Sequence, residues 1–205
     1  MSATLSTTGA SPTNRMRNSP QAALLAALAF AAEKHKHQRR KGSDSPPFIN
    51  HAIEVADILA RLGGVDDPIT LQAGVLHDTL EDTDTTGDEL EQHFGAEVRA
   101  IVEEVTDNTK LPRAERRAEQ ESRARKLSER ARLVRIADKI ANVGSVGRTP
   151  PQEWSVERRR EYLEWTQRVV EGCRGCSPQL DRLYDACLAE SYRLVGEADE
   201  ASPAS

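Results

Sequence analysis

His77 and Asp78 stand side by side at the end of the apolar run that begins at Leu71, and Glu81 and Asp82 follow one helical turn later. On a helix, residues four apart share a face, so the spacing predicts His77 above Glu81 and Asp78 above Asp82. Carboxylates gathered this closely repel one another unless a cation or an unusual protonation state relieves them. A His-Asp pair alone says little, because a single His on an apolar helix is commonly a core residue or a cap. The Glu-Asp pair beside it is what points to metal or acid–base chemistry. Asp138 adds to the set: it interrupts the apolar series Leu133, Val134, Ile136, Ala137 and Ile140, with Asn142 one turn further on. A carboxylate buried without a partner is costly, so an Arg or a metal ion must satisfy it. With His51, the candidates His77, Asp78 and Asp138 make a mixed nitrogen and oxygen donor set. Such a set suits Mn, Fe or Zn, with coordination positions left for water and substrate.

The elements that must position these groups all have helical period. Ser19-Pro20 predicts an N-cap and first-turn Pro, opening a buried first helix through Ala22–Ala32 into Glu33, Lys34 and His35. Asn50 is the expected N-cap of a helix from His51 to about Leu62, ended by Gly63-Gly64, with Ile53, Val55, Ala56, Ile58, Leu59 and Leu62 on its buried side. The helix carrying His77 opens near Ile69. Thr86 and Glu89 have capping-box spacing for the next element, and the period then runs through two short helices broken near Gly95. Residues 112–132 are dense in charge and almost free of apolar groups, which predicts a solvated helix or a lid. Apolar period returns over Leu127–Val143. Ser155 caps a helix carrying Tyr162 and Trp165, and Ser177-Pro178 opens a last helix that Gly196 should end.

Aromatics are few, Ala and Leu abundant, and strand-like alternation nearly absent, so the fold class is all-α. A chain of 205 residues suits one domain, 19–195, flanked by a disordered tail over 1–18 and a flexible acidic tail over 196–205. Lys and Arg total 28 against 33 for Asp and Glu, which argues against a nucleic-acid binder. The basic run Lys34–Lys41 departs from that balance: it is either a solvated helix end or a phosphate clamp. Cys173, Cys176 and Cys187 lack a second pair for a zinc ribbon and read as reduced cytosolic thiols. The apolar run at 22–32 is shorter than the roughly 20 residues of a membrane span, so neither export nor membrane association is expected.

The order of one His, then His-Asp, then a distant helical Asp resembles the HD superfamily of metal phosphohydrolases. Phe48-Ile-Asn-His51, His77-Asp78-Thr-Leu-Glu81-Asp82-Thr, His93-Phe-Gly95, Val102-Glu-Glu-Val-Thr106 and Ile136-Ala-Asp138-Lys-Ile-Ala-Asn142 resemble the hydrolase domain of RelA/SpoT proteins. Within these, the chain is most similar to the stand-alone small alarmone hydrolases, from about Ala22 to Leu188. The resemblance implies a compact helical HD-domain bundle with a metal site between helices. It implies a cytoplasmic Mn²⁺-dependent enzyme that removes pyrophosphate from the ribose 3′ position of guanosine tetra- or pentaphosphate; Zn²⁺ or Fe²⁺ also fits the donors. By motif, His51, His77, Asp78 and Asp138 hold the metal, and Glu81 and Asp82 handle the attacking water and proton transfers. Arg40, Lys41, Asn142 and, less directly, Tyr162 match nucleotide- and phosphate-binding positions. Arg113, expected by the resemblance to contact a substrate phosphate, stands where relatives often carry Lys, Phe48 where Tyr is usual and Ala52 where Pro is common. The motifs leave open which carboxylate is base and which acid, and whether the chain forms homo-oligomers. The alternative is an HD phosphatase acting on another ribose-phosphate such as a phosphorylated dinucleotide; a regulatory module without turnover would require broken motifs, and these are intact.

Overall fold

The computed structural model describes residues 19–42 and 45–200, so the tail expected over 1–18 lies outside the described residues. Among these the chain is helical, with no strand and one isolated antiparallel bridge between Arg39 and Pro47. The helices are α1 (Pro20–Lys34), α2 (Ile49–Asp57, continued by a π turn Ile58–Leu62), α3 (Pro68–Leu76), α4 (Thr79–Asp82) and α5 (Gly87–Phe94). They continue with α6 (Ala96–Val105), α7 (Arg113–Arg123), α8 (Glu129–Arg148), α9 (Val156–Cys173) and α10 (Pro178–Glu200).

Caps start six of the ten, four of them, at Ser19, Thr86, Ser155 and Ser177, where the sequence predicts. Ser19, Asp67, Thr86, Ser128, Ser155 and Ser177 each accept a backbone N–H from the first turn that follows, a contact worth about 1 kcal/mol. The capping box at Thr86 is only half formed, because the Glu89 carboxylate turns to Lys34 Nζ at 3.1 Å. Gly95 separates α5 from α6 at φ 87°, a conformation that L residues resist.

Helix α8 is the axis of the core. Val134, Ile136, Ala137 and Val143 on it are fully buried, and α10, α9, α3, α2 and α6 all pack against it. Each such Val or Ile stabilises the fold by about 1.5–3 kcal/mol. On the other side α3 is covered by α1, α2 and α6.

Four expectations change. Asn50 is not a cap: α2 begins at Ile49, two residues before the expected His51, after a Phe48 that gives no side-chain cap bond. Ile53 and Leu62 are exposed; His51, Ala52, Val55 and Ala56 take the inner face of α2, and the wide π turn, closed by Gly63 N–H to Ile58 O at 2.7 Å, shifts the phase so that Leu62 swings outward. Only Ala27 and Ala31 of α1 are buried, while Leu25 is exposed, so α1 touches the core along a narrow stripe. Gly196 does not stop the last helix, which runs to Glu200. A mid-helix Gly costs about 1 kcal/mol, and here Arg193 pairs with Glu197 and Arg160 with Asp199 beyond it.

Candidate active site

His51 lies in the first turn of α2, buried, with its ring edge-on to His77 at 5.1 Å between centroids. His77 closes α3. Its Nδ1 engages Gly74 O at 2.9 Å, and Thr79 Oγ1 donates to Leu76 O at 2.6 Å. These side chains occupy carbonyls of the last turn, competing with the helix ladder. The helix therefore breaks at His77-Asp78 and restarts as α4, which corrects the expectation of one helix carrying all four polar groups. The break turns His77 Nε2 inward: it is buried without a hydrogen-bond partner.

Asp138 comes from the middle of α8. Its Oδ1 lies 3.2 Å from His51 Nε2 and 3.7 Å from His77 Nε2. His51, His77 and Asp138 thus offer donor atoms all within 4.8 Å of one another. Asp78 stands outside that mutual set but directs Oδ2 at both imidazoles, 3.1 Å from His77 Nε2 and 3.6 Å from His51 Nε2.

The charges in this cluster are strongly coupled. Burial alone would deprotonate His77, but the Asp78 and Asp138 carboxylates beside it prevail and raise it to about 10. Burial likewise favours a neutral Asp78, and the His77 charge overrides it, holding Asp78 at about 2. Asp138 is held well below its ordinary range against burial by Lys139, His51 and His77. His51 goes the other way, lowered chiefly by burial. The carboxylates of Asp78 and Asp138 thus favour a positive charge between the two imidazoles. The inward, unpartnered Nε2 and the nitrogen–oxygen donor set fit a divalent cation in that role.

Two clefts meet beside this centre. The first, about 430 Å³, is lined among others by Gln38, Arg40, Lys41, Phe48, Asp82, Asn142, Ser145, Trp154 and Tyr162. The second, about 290 Å³, carries Glu81, Asp107, Arg113, Arg116, Arg117 and Arg158. Lys41, Trp154 and Tyr162 border both. Glu81 and Asp82, neighbours in sequence, therefore face different clefts. Glu81 accepts the Asp107 N–H at 3.1 Å; burial first, then the Asp107 and Asp78 charges, raise it to about 7. Asp82 is also raised, mainly by burial and then by Asp78.

Of the residues expected to bind substrate, Arg40, Lys41, Asn142 and Tyr162 share the first cleft, and Arg113 opens the second. Arg40 Nη2 donates to Asn142 Oδ1 at 2.9 Å, and Asn142 Nδ2 to Asp138 Oδ1 at 2.5 Å, joining the basic loop to the His51, His77 and Asp138 cluster. Gln38, Trp154, Arg117 and Arg158 were not singled out from sequence. A Trp in a polar stretch before a cap is one signal that points to Trp154, which lies against the guanidinium of Arg158 at 4.7 Å.

The HD domain profile matches residues 27–164. The chain belongs to the HD-domain family. Among relatives of this HD protein, the guanosine-3′,5′-bis(diphosphate) 3′-pyrophosphohydrolase of Mus musculus is 50% identical over 163 residues, 80% of this chain and 91% of its own length. The enzyme of the same name from Drosophila melanogaster is 38% identical over 170 residues, 83% of this chain and 95% of its own. A solved metazoan orthologue of SpoT, described as hydrolysing ppGpp, superimposes on the HD protein with a TM-score of 0.81 at 37% identity, covering 84% of this chain and 97% of that one.

Proposed function

We propose that this chain is a metal-dependent (p)ppGpp 3′-pyrophosphohydrolase, converting ppGpp to GDP, or pppGpp to GTP, and pyrophosphate. The observation that carries the reading is the His51, His77 and Asp138 cluster with one carboxylate of the Glu81-Asp82 pair facing each of two clefts. Relatives that the chain matches over most of their length bear the same activity in their names. We assign metal binding to His51, His77, Asp78 and Asp138 and take Mn²⁺ as the ion. When bound, that ion supplies Lewis-acid polarisation of the phosphate and neutralises charge.

The leaving group is a ribose alkoxide, so a proton must reach the 3′ oxygen as its bond to phosphorus breaks, while another leaves the attacking water. In-line displacement puts water and leaving oxygen on opposite sides of the phosphorus. With the nucleoside in the cleft of Phe48, Asn142 and Tyr162, Asp82 lies on the leaving-group side and Glu81 on the side of the arginines. We therefore assign Glu81 as the base and Asp82 as the acid. A carboxyl near 7 suits a base at neutral pH. Arg40, Lys41 and Arg113 offset phosphate charges that the acidic cluster would repel. Free thiols at Cys173, Cys176 and Cys187, and the lack among the described residues of a helix long and apolar enough to cross a membrane, support a cytoplasmic setting.

Purified protein given Mn²⁺ and ppGpp should release pyrophosphate and GDP, whereas orthophosphate release from a phosphorylated dinucleotide with ppGpp untouched would sink the assignment. Asp78→Ala and Glu81→Ala should each lose most of the turnover.

A further inference from the structure

The two oxygens of Asp138 keep separate company. Oδ1 faces the imidazoles and Asn142, whereas Oδ2 lies 3.1 Å from Lys139 Nζ. Lys139 is only 3% exposed, and a buried ammonium costs several kcal/mol unless it is well paired. Its second partner is the indole of Trp165, 4.7 Å from Nζ to the ring centre. Adjacent side chains on a helix diverge by about 100°, so an ion pair between residues 138 and 139 needs the lysine stem to fold back. The Trp165 ring, itself nearly buried, supplies the surface against which it folds.

The same ring also holds α7. Arg117 of α7 lies 4.8 Å from the Trp165 centre, and Trp165 Nε1 donates to the Arg117 carbonyl at 3.3 Å. Helix α7 buries none of its residues. Its position over the arginine-lined cleft therefore depends on contacts of this kind rather than on a core face.

We propose that Lys139 is a positioning residue that holds Oδ2 of Asp138 so that Oδ1 is presented to the metal, and that Trp165 couples this arrangement to the seating of α7. The proposal rests on the reading of Asp138 as a metal ligand. Charge alone predicts the opposite effect: removing a cation beside a carboxylate cluster should tighten the grip on a divalent ion.

The test is calorimetric titration of the full-length, metal-stripped protein with Mn²⁺ and no nucleotide, alongside melting in chelator. Lys139→Met should weaken Mn²⁺ binding by about tenfold or more, as loss of a partner behind a metal ligand does, and Lys139→Arg should recover most of it. Arg117→Gln, a change at a half-buried position of α7, should weaken Mn²⁺ binding by about fivefold, at the low end of coupling between sites, with its melt in chelator unchanged. Mn²⁺ bound by Lys139→Met as tightly as by the unaltered chain, or more tightly, overturns the positioning role. Unaltered affinity in Arg117→Gln overturns the coupling, and it decides even if Lys139→Met fails to fold. Asp138→Asn separates the two layers: if it binds Mn²⁺ normally, the ligand assignment itself fails and the proposal with it, whereas weak binding there with normal Lys139→Met binding sinks only the positioning role.

Discussion

One wall of the candidate site is backed by the buried cluster of His51, His77 and Asp138, the other carries Arg113, Arg116 and Arg117, and the two are supported in opposite ways. The first belongs to α2, α3 and α8, each of which buries residues in the common core. The second belongs to α7, which buries none and is tied down by arginine–aromatic contacts and single hydrogen bonds, including Arg117 over Trp165 and Trp165 Nε1 to the Arg117 carbonyl. A metal site needs fixed geometry, and packed helices supply it. A polyphosphate needs charge and a way in and out, which a weakly held helix allows. The two walls should therefore fail differently when altered.

The contrast is sharpest at Asp138. Asp138→Ala should abolish hydrolysis, by a thousandfold or more if several kcal/mol of Lewis-acid stabilisation are lost. It should also lower the stability of the metal-free protein by about 3–5 kcal/mol, because Lys139 is left buried and unpaired; denaturant melts in chelator check this. Glu81→Gln should come next, lowering kcat about 10²–10⁴-fold while Mn²⁺ affinity by titration stays close to normal. On the arginine wall, Arg113→Ala should act mostly on KM, raising it about tenfold, the cost of one charge-assisted contact of about 1.5 kcal/mol, with stability nearly unaltered. If Arg113→Ala unfolded the protein, or Asp138→Ala left its stability untouched, the contrast would collapse. Hydrogen exchange offers an independent view: amides of α7 should open at much lower free energy than those of α8.

The smallest effect concerns pH. Glu81 is raised from its ordinary 4.5 to about 7 by burial, then by Asp107 and Asp78. Between those values the folded metal-free chain holds a proton that the unfolded chain has released, so stability falls as pH rises through that window and levels off above it. Glu81→Gln removes the dependence. Its melting advantage over the unaltered chain should grow from pH 5 to about 7 and then stay flat.

The same division explains what could be read from residue order. The cluster of His51, His77 and Asp138 was legible because His77 and Asp138 sit in apolar helical runs, where a polar group demands a reason, and because the order of His, His-Asp and distant Asp resembles the HD pattern, which brings in His51. Caps were legible at Ser19, Thr86, Ser155 and Ser177, where a small hydroxyl precedes a periodic run, but not at Ser128, which follows Leu127 inside the apolar period. The break at His77-Asp78 was not, because it arises when side chains of His77 and Thr79 take backbone carbonyls, which periodicity does not register. Exposure of Leu62 escaped for a related reason, since the π turn changes the phase without a sequence mark, whereas Ile53 is exposed because His51, Ala52, Val55 and Ala56 take the inner face of α2. Arg117, Trp154 and Lys139 draw their importance from neighbours in other helices. Lys139 was the nearest to visible, a second charge beside Asp138 in a buried run.

Gly74 sets a tolerance for the whole assembly. A Cβ there would come within 2.6 Å of Leu59 Cδ1 and 3.7 Å of Val55 Cγ1, the inner face of the helix that carries His51. Leu59 is fully buried, so even a methyl at 74 would wedge apart the two scaffolds bearing the imidazoles. No residue of α3 is exposed, and at position 74 the width of a hydrogen atom is the gauge that keeps the His51 and His77 rings edge to edge.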